Sequence, residues 1–226
     1  GLVLPSGYYY RVGALVWISA IAVVGLNMLL GYAGQVSLGH AGFLGSGAYA
    51  VTVLPAHWGV PTVVALVAGA VLAGLLAFLV GRPILRLRGH FLAVATLGLG
   101  LLVSFVLTNE VPLTGGPDGM TVKRLELFGW RVRSPEAWYW LSGATLVLAV
   151  ALAQNLIESP TGRALRALHD SEIAARVVGI DAARYKLAVF TISAVYASLA
   201  GSYLALLNGH ITPDAALAHL HEMVAA

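Results

Sequence analysis

The feature that most constrains this chain is a long stretch without charge. Residues 12–81 contain no Asp, Glu, Lys or Arg, and further charge-free runs follow at Gly89–Asn109, Ala137–Ile157 and Leu187–Pro213. A helix of about 21 residues rises about 31 Å, which matches a hydrocarbon core of about 30 Å. The runs lack the apolar–polar alternation of a transmembrane β-strand. The sequence therefore predicts an all-α, polytopic transmembrane helical bundle.

Six membrane-spanning helices are expected, within one transmembrane domain that covers residues 1–226. They lie near Tyr9–Leu30, Val36–Leu54, Thr62–Val80, His90–Thr108, Ala137–Ile157 and Tyr185–Leu207. The apolar segment His219–Ala226 is a candidate start for a further span.

Two basic loops set the orientation. Gly81–His90 carries three arginines and no acid, and Glu158–Lys186 carries four arginines and a lysine. The positive-inside rule places both loops in the cytoplasm, and the two spans between them agree with that assignment. Pro55–Pro61 and Glu110–Ala137 then face the outside.

The outer segment contains a turn signal, "GGPDG" at Gly115–Gly119. A small hairpin is expected between Val122–Leu127 and Trp130–Val132.

The cytoplasmic segment has helical signals of its own. A first helix is predicted around Gly162–Leu168, with its apolar residues on one face. Asp170 or Ser171 can cap a second, short helix, in which Glu172 and Arg176 are spaced to pair. This helix also carries the apolar residues Ile173, Val177 and Val178.

Gly179 stands where a glycine would end that second helix. A helix of two turns is marginal alone in water, so we expect it to pack against something. It either lies on the bilayer interface or docks a cytoplasmic partner.

The first cytoplasmic turn leads into a glycine-rich, polar stretch, "GYAGQVSLGHAGFLGSGAYA" at Gly31–Ala50. Its small residues favour close helix packing, and its glycines also favour an unwound or kinked segment. Two interpretations stay open for its polar and small residues: helix packing alone, or a pore-side element that faces a path through the bundle or a partner. The residues concerned are Gln35, Ser37, Gly39, His40 and Gly42.

The spans hold no series of ionisable residues of the kind that carries protons or ions through a membrane protein. The charge-free runs contain no acid, Lys or Arg, and His40 is the one histidine expected inside a span. The chain also lacks the GxxxxGK[ST] phosphate loop, so any ATP hydrolysis must occur in a partner. We expect no catalytic residue, metal or cofactor in this chain, which is not an enzyme, and no nucleic-acid partner.

Four separated blocks of the sequence resemble the permeases of branched-chain amino-acid ABC importers, most of all the LivM-like member of the permease pair. They are "GYAGQVSLGHAGFLGSGAYA", "LRLRGHFLAVATLGLG", "LTGGPDGM" and "GRALRALHDSEIAARVVGIDAARYKLAVFTISAVYASLAGSYLA". They occur in the family's order and cover most of the chain.

The resemblance implies a role for the cytoplasmic segment at residues 158–184. In this family the corresponding loop forms the coupling helix, which sits in a cleft of the ATP-hydrolysing subunit. Carried over residue by residue, that role falls on Glu172, Ala174, Ala175, Arg176 and Gly179.

The resemblance also implies the other subunits of the transporter and the membrane that holds it. A LivH-like second permease, two cytoplasmic ATP-binding subunits and a periplasmic or extracellular substrate-binding protein would be the partners, in a bacterial or archaeal plasma (inner) membrane. The alternatives are the permease of a urea or short-chain amide ABC importer, a secondary carrier or channel outside the ABC class, and a non-transporting membrane scaffold. Family chains normally continue past the "GHITPD" region with more spans, so we expect this domain to be incomplete at its C-terminus.

Overall fold

The computed structural model describes residues 7–85, 87, 90–127, 130–132 and 134–212. Within these residues the chain forms nine α-helices and four two-residue strands. The helices are α1 (Gly7–Asn27, continued by a π-helical turn at Met28–Tyr32), α2 (His40–Trp58), α3 (Thr62–Ile84), α4 (His90–Asn109), α5 (Val111–Thr114), α6 (Pro135–Glu158), α7 (Pro160–Asp170), α8 (Glu172–Val177) and α9 (Ala182–Asn208). The strands are β1 (Met120–Thr121), β2 (Glu126–Leu127), β3 (Trp130–Arg131) and β4 (His210–Ile211).

Five helical stretches of the described chain are long and apolar enough to cross a membrane. They are Gly7–Tyr32, Thr62–Ile84, His90–Asn109, Pro135–Glu158 and Ala182–Asn208. The predicted all-α, polytopic membrane fold is therefore confirmed. The candidate span at His219–Ala226 lies outside the described residues.

Helix α2 departs from the prediction of a span over Val36–Leu54. Residues 36–39 are not helical, and the helix runs from His40 to Trp58. It is not among the five spans, and it packs against α9, α3 and α4 and buries most of its residues in the protein. A helix enclosed in this way does not need a lipid-facing surface.

Helix α9 lies at the centre of the bundle. It contacts α1, α2 and α3, whereas α6 packs mainly on α1, and α4 mainly on α2. Its central position explains why the serines, the glycine and most alanines of α9 are buried, since small side chains let neighbouring backbones approach closely.

The α2–α9 contact brings main chain against main chain. A Cβ atom on Gly47 would lie 2.0 Å from the carbonyl oxygen of Ser198, and one on Gly201 would lie 1.9 Å from that of Leu44. Ser202 Oγ donates a hydrogen bond of 3.0 Å to the Gly47 carbonyl across the same contact. These two glycines therefore fix the separation of α2 and α9.

At the end of the bundle opposite to α7 and α8, short strands join distant parts of the chain. β1 pairs antiparallel with β4, which directly follows α9, and β2 pairs with β3 as the hairpin prediction required. Gly119, at φ +72°, is pressed so closely on this pair that a Cβ would lie 1.9 Å from the Ile211 carbonyl oxygen. Lys123 Nζ donates to the Pro55 carbonyl at 2.6 Å, which ties the loop to the end of α2.

Candidate functional site

The connection between α1 and α2 is an unwound segment at Gly34–Gly39. The π-helical turn ends at Tyr32, and Gly34 adopts φ +61°, a left-handed conformation that favours glycine. The amides of Gly34 and Gln35 still bond back to the carbonyls of Leu30 and Leu29, both at 3.2 Å. The glycine-rich stretch thus combines both predicted features, an unwound segment first and a closely packed helix after it.

His40, the first residue of α2, connects three elements through hydrogen bonds. Its Nδ1 lies 2.9 Å from Ser37 Oγ and its Nε2 lies 2.6 Å from Ser193 Oγ in α9. Ser193 Oγ in turn donates to the Gly25 carbonyl of α1 at 2.7 Å. Because the single Ser193 proton is used in that bond, Ser193 accepts from His40 Nε2–H, and Nδ1 then accepts from the Ser37 hydroxyl.

In this arrangement both ring nitrogens of a neutral His40 imidazole have a hydrogen-bond partner. The ring is also packed edge-on against Phe43 and Phe190, with ring centroids 6.0 and 6.3 Å away. The His40 network therefore joins the unwound segment to α1 and α9, and it needs no charge inside the bundle.

Gly39 and Gly42 lie against α4. A Cβ on Gly39 would lie 2.1 Å from the Thr96 carbonyl oxygen, and one on Gly42 would lie 3.1 Å from the Cα of Gly100. Thr96 Oγ1 also accepts a 3.1 Å hydrogen bond from the Leu38 amide. In this conformation the two glycines and the Thr96 hydroxyl hold the start of α2 on α4.

Gln35 is the polar residue of the segment that the packing does not explain. Its side chain is 2% exposed, and within the described part of the chain neither its amide oxygen nor its amide nitrogen has a hydrogen-bond partner. A buried polar group left in this state costs about 1–3 kcal/mol. An unsatisfied buried group in a native structure calls for a specific explanation, such as strain, a bound water or ion, or a functional role.

Helix α7 begins at a sharp corner after α6. Ser159 Oγ caps it by accepting from the amides of Thr161 and Gly162, and Gly162 is packed so closely that a Cβ would lie 2.0 Å from the Ile157 carbonyl oxygen. As expected, the apolar residues of α7 form one buried face; they are Ala164, Leu165 and Leu168.

Helix α8 is held at its ends as the sequence predicts. Ser171 Oγ accepts from the Ala174 amide at 3.3 Å, and Gly179 follows the helix at φ +88°. Glu172 forms ion pairs with Arg176 one turn along and with Lys186 of α9, the latter at 2.8 Å. These contacts fix α8 against the start of α9.

The residues that the resemblance assigned to the coupling helix divide between two faces. Ala175 is buried at 3% exposure and Glu172 is held by its ion pairs, whereas Ala174, Arg176 and Gly179 are exposed.

The apolar residues that the sequence places in the second short helix form an exposed face of α8. Ile173, Val177 and Val178 are 80, 82 and 76% exposed. Ala175, on the opposite side of the helix, is the residue that packs inward.

The unwound segment also contacts α7. A Cβ on Gly34 would lie 3.1 Å from Cδ2 of His169, near the C-terminal end of α7, and the π-helical turn packs on the same helix. A continuous path of contacts thus runs from α8 through α7 to the unwound segment, and from there to His40.

Comparisons with known proteins agree with this architecture. Residues 9–226 match a family model described as "Branched-chain amino acid transport system / permease component". The chain is 34% identical over 227 residues to the high-affinity branched-chain amino acid transport system permease protein LivM of Escherichia coli (strain K12), and 33% identical to that of Salmonella typhimurium (strain LT2). Each alignment covers 90% of this chain and 53% of the relative.

A more distant similarity extends to a second kind of permease. The chain is 30% identical over 127 residues to the autoinducer 2 import system permease protein LsrC of Photorhabdus laumondii, which covers 56% of this chain and 36% of the relative. No solved structure matches.

The chain spans about half the length of the LivM proteins that it matches. The family model nevertheless covers the bundle, the unwound segment and both short helices. The chain therefore belongs to the family of permease components of branched-chain amino acid transport systems.

Proposed function

We propose that this chain is the membrane-spanning part of a permease subunit in an ABC importer. The importer takes branched-chain amino acids from an external binding protein and moves them into the cytoplasm. Energy comes from ATP hydrolysis in partner subunits.

The observation that carries the proposal is the exposed apolar face of α8. Helices α7 and α8 lie outside the five spans, on the side where the positive-inside rule places the cytoplasm. Three aliphatic side chains more than three-quarters exposed are costly in water, and a partner groove would remove that cost. The ion pairs of Glu172 keep this face pointed away from the bundle.

In this mechanism α8 is the coupling helix. Ile173, Val177 and Val178 enter a cleft of the ATP-binding subunit, and Ala174, Arg176 and Gly179 lie at the edge of the same contact. Glu172 and Ala175 act from the inner side, by fixing the helix on α9.

Movement at α8 reaches the membrane interior through α7. His169 lies against Gly34, so a displacement of α7 changes the space available to the unwound segment. The His40 network then links that segment to α1 and α9. Because interfaces packed this tightly have discrete arrangements rather than a continuous range, a small shift at α8 is amplified.

Gln35 is the residue of this region for which we propose contact with the translocation path or the second permease. Its unsatisfied amide supports this role, since a zwitterionic amino acid or a polar partner surface offers both a donor and an acceptor. Ser37 and His40 would be exposed with it when the unwound segment moves. Gly39 and Gly42 remain packing residues against α4.

The partners follow from the same proposal: a LivH-like second permease subunit, two cytoplasmic ATP-binding subunits and an external substrate-binding protein. The assembly would lie in the plasma (inner) membrane of a bacterium or archaeon. Autoinducer 2 is the second candidate substrate, because the similarity to LsrC includes more than half of the chain.

Reconstitution tests the proposal. The full-length permease and its partner subunits are placed in liposomes with ATP inside, and uptake of labelled leucine, urea and autoinducer 2 is compared. The Ile173→Ser/Val177→Ser variant carries the change in α8. Leu87→Ser is the matched control, because it also replaces an exposed aliphatic residue at this end of the bundle, outside α8.

The proposal predicts ATP-dependent leucine uptake that the double variant lowers at least tenfold and Leu87→Ser leaves within twofold. Uptake of leucine without ATP would identify a carrier or channel instead. Uptake of urea or autoinducer 2 but not of leucine would support an ABC importer and contradict branched-chain amino acids as its substrate. Full uptake by the double variant would overturn the role of α8.

A further inference from the structure

A basic cavity opens beside α8 at the membrane surface. It has a volume of about 830 Å³ and lies between the last turns of α3, helix α8 and the first turns of α9. Four basic side chains line it (Arg82, Arg176, Arg184 and Lys186), together with the acidic side chains of Glu172 and Asp181. The lining therefore has an excess of positive charge.

Two guanidinium groups of the lining stand outside its ion pairs. Glu172 pairs with both Arg176 and Lys186, and these three charges sum to a single positive charge. Among the residues that the structure describes, neither Arg82 nor Arg184 forms an ion pair; Asp181 instead accepts from the Arg184 backbone amide at 3.2 Å. Arg82 and Arg184 are thus available to an anion from outside the chain.

The cavity has an apolar wall on the side of the membrane interior. Phe78, Leu187 and Ala188 form part of it, and the Arg82 guanidinium lies 4.6 Å from the centroid of the Phe78 ring. Stacking on an aromatic face holds a cation in place without neutralising it.

The helix lengths place this cavity at the level of the lipid head groups. Helix α3 has 23 residues and α9 has 27, which correspond to about 34 and 40 Å, against a hydrocarbon core of about 30 Å. Arg82 stands in the last turn of α3 and Arg184 in the first turn of α9, so both reach past the hydrocarbon. Phe78, one turn deeper, reaches the acyl chains.

We propose that this cavity binds an anionic phospholipid of the cytoplasmic leaflet. The phosphate accepts hydrogen bonds from the guanidinium groups of Arg82 and Arg184, and an acyl chain lies along Phe78 and Leu187. A soluble phosphate offers the same anionic chemistry, but it leaves the apolar wall unused. The inference does not depend on what the permease transports.

Native mass spectrometry tests the site. The full-length permease, with and without its partner subunits, is incubated in detergent with phosphatidylglycerol or phosphatidylcholine, and the bound lipid is counted over a titration. The variant is Arg82→Gln/Arg184→Gln. Arg163→Gln is the matched control for each of the two single variants, because it also removes one positive charge, from an exposed position of α7 outside the cavity.

Phosphatidylglycerol is expected to bind about thirtyfold more weakly to the double variant and about fivefold more weakly to each single variant. Arg163→Gln should stay within twofold, and phosphatidylcholine should bind all forms alike. If the double variant does not assemble, the two single variants and the charge-retaining Arg82→Lys/Arg184→Lys test the same prediction.

Three results would overturn the proposal. Unchanged phosphatidylglycerol binding by a folded double variant would exclude these arginines. Equal displacement by inorganic phosphate would identify a site for a soluble anion. Loss of the lipid on assembly with the ATP-binding subunits would assign the cavity to a protein interface.

Discussion

Replacing Gly201 by alanine tests the α2–α9 contact that fixes the centre of the bundle. The added Cβ would lie 1.9 Å from the Leu44 carbonyl oxygen and 2.7 Å from its carbonyl carbon. An ordinary contact begins at 3.4 Å. Because the obstacle is main chain and not a flexible side chain, one helix must move by more than about 1 Å to admit a single methyl group.

The expected cost follows from that displacement. Overpacking a well-packed core destabilises a protein by about 1–3 kcal/mol, and an obstacle made of main chain places Gly201→Ala at the upper end, about 3 kcal/mol. A change of 1 kcal/mol shifts the Tm of a protein of this size by about 2–4 °C. Gly201→Ala should therefore lower Tm by about 6–12 °C.

Tryptophan fluorescence during heating of the purified protein in detergent measures this shift, since the chain has five tryptophans and no cysteine for a thiol dye. Gly98→Ala is the control, because a Cβ at this helical position meets no atom within 4 Å and alanine favours a helix by up to about 1 kcal/mol. The reasoning would be refuted if Gly201→Ala and Gly98→Ala unfolded within 2 °C of each other.

Three further predictions concern the polar groups. Ser193→Ala leaves His40 Nε2–H without an acceptor and should cost about 1–2 kcal/mol in thermal unfolding, whereas Ser19→Ala, at an exposed position of α1, should cost less than about 0.5 kcal/mol. Glu172→Gln removes the ion pair with Lys186 and should raise amide hydrogen exchange in α8 about fivefold, with no change in α6. Gln35→Leu removes an unsatisfied buried amide, so Tm should hold or rise while leucine uptake falls at least tenfold.

Each of these three predictions can be contradicted by a specific result. Equal unfolding of the two serine variants would mean that His40 does not depend on Ser193. Unchanged exchange in α8 would show that packing of Ala175 alone fixes the helix. A Gln35→Leu protein that transports normally would reduce Gln35 to a packing residue.

Local signals in the sequence were sufficient for much of the fold. Charge-free runs located the spans, and the capping serine and terminal glycine of α8 were readable because caps depend on residues a few positions apart. The outer hairpin was predictable for the same reason.

Contacts between residues distant in the sequence could not be predicted from such local signals. Nothing near Met120 indicates that it pairs with Ile211, and nothing near His40 indicates that Ser193 bonds to it. The predicted start of α2 was wrong by four residues, because the Leu38 amide bonds to the side chain of Thr96 in α4 and not to a carbonyl of its own helix. Hydropathy likewise could not distinguish the apolar face of α8 from a buried one.

Cross-linking from α8 tests the central claim most directly. The chain has no cysteine, so Val177→Cys introduces a single thiol on the exposed face, and Arg163→Cys introduces one on an exposed position of α7 as the control. A short thiol-to-amine cross-linker is added to the assembled transporter, with and without ATP. The account predicts that Val177→Cys joins the ATP-binding subunit in high yield and that Arg163→Cys does so weakly. Failure of Val177→Cys to reach that subunit in a complex that hydrolyses ATP would contradict it.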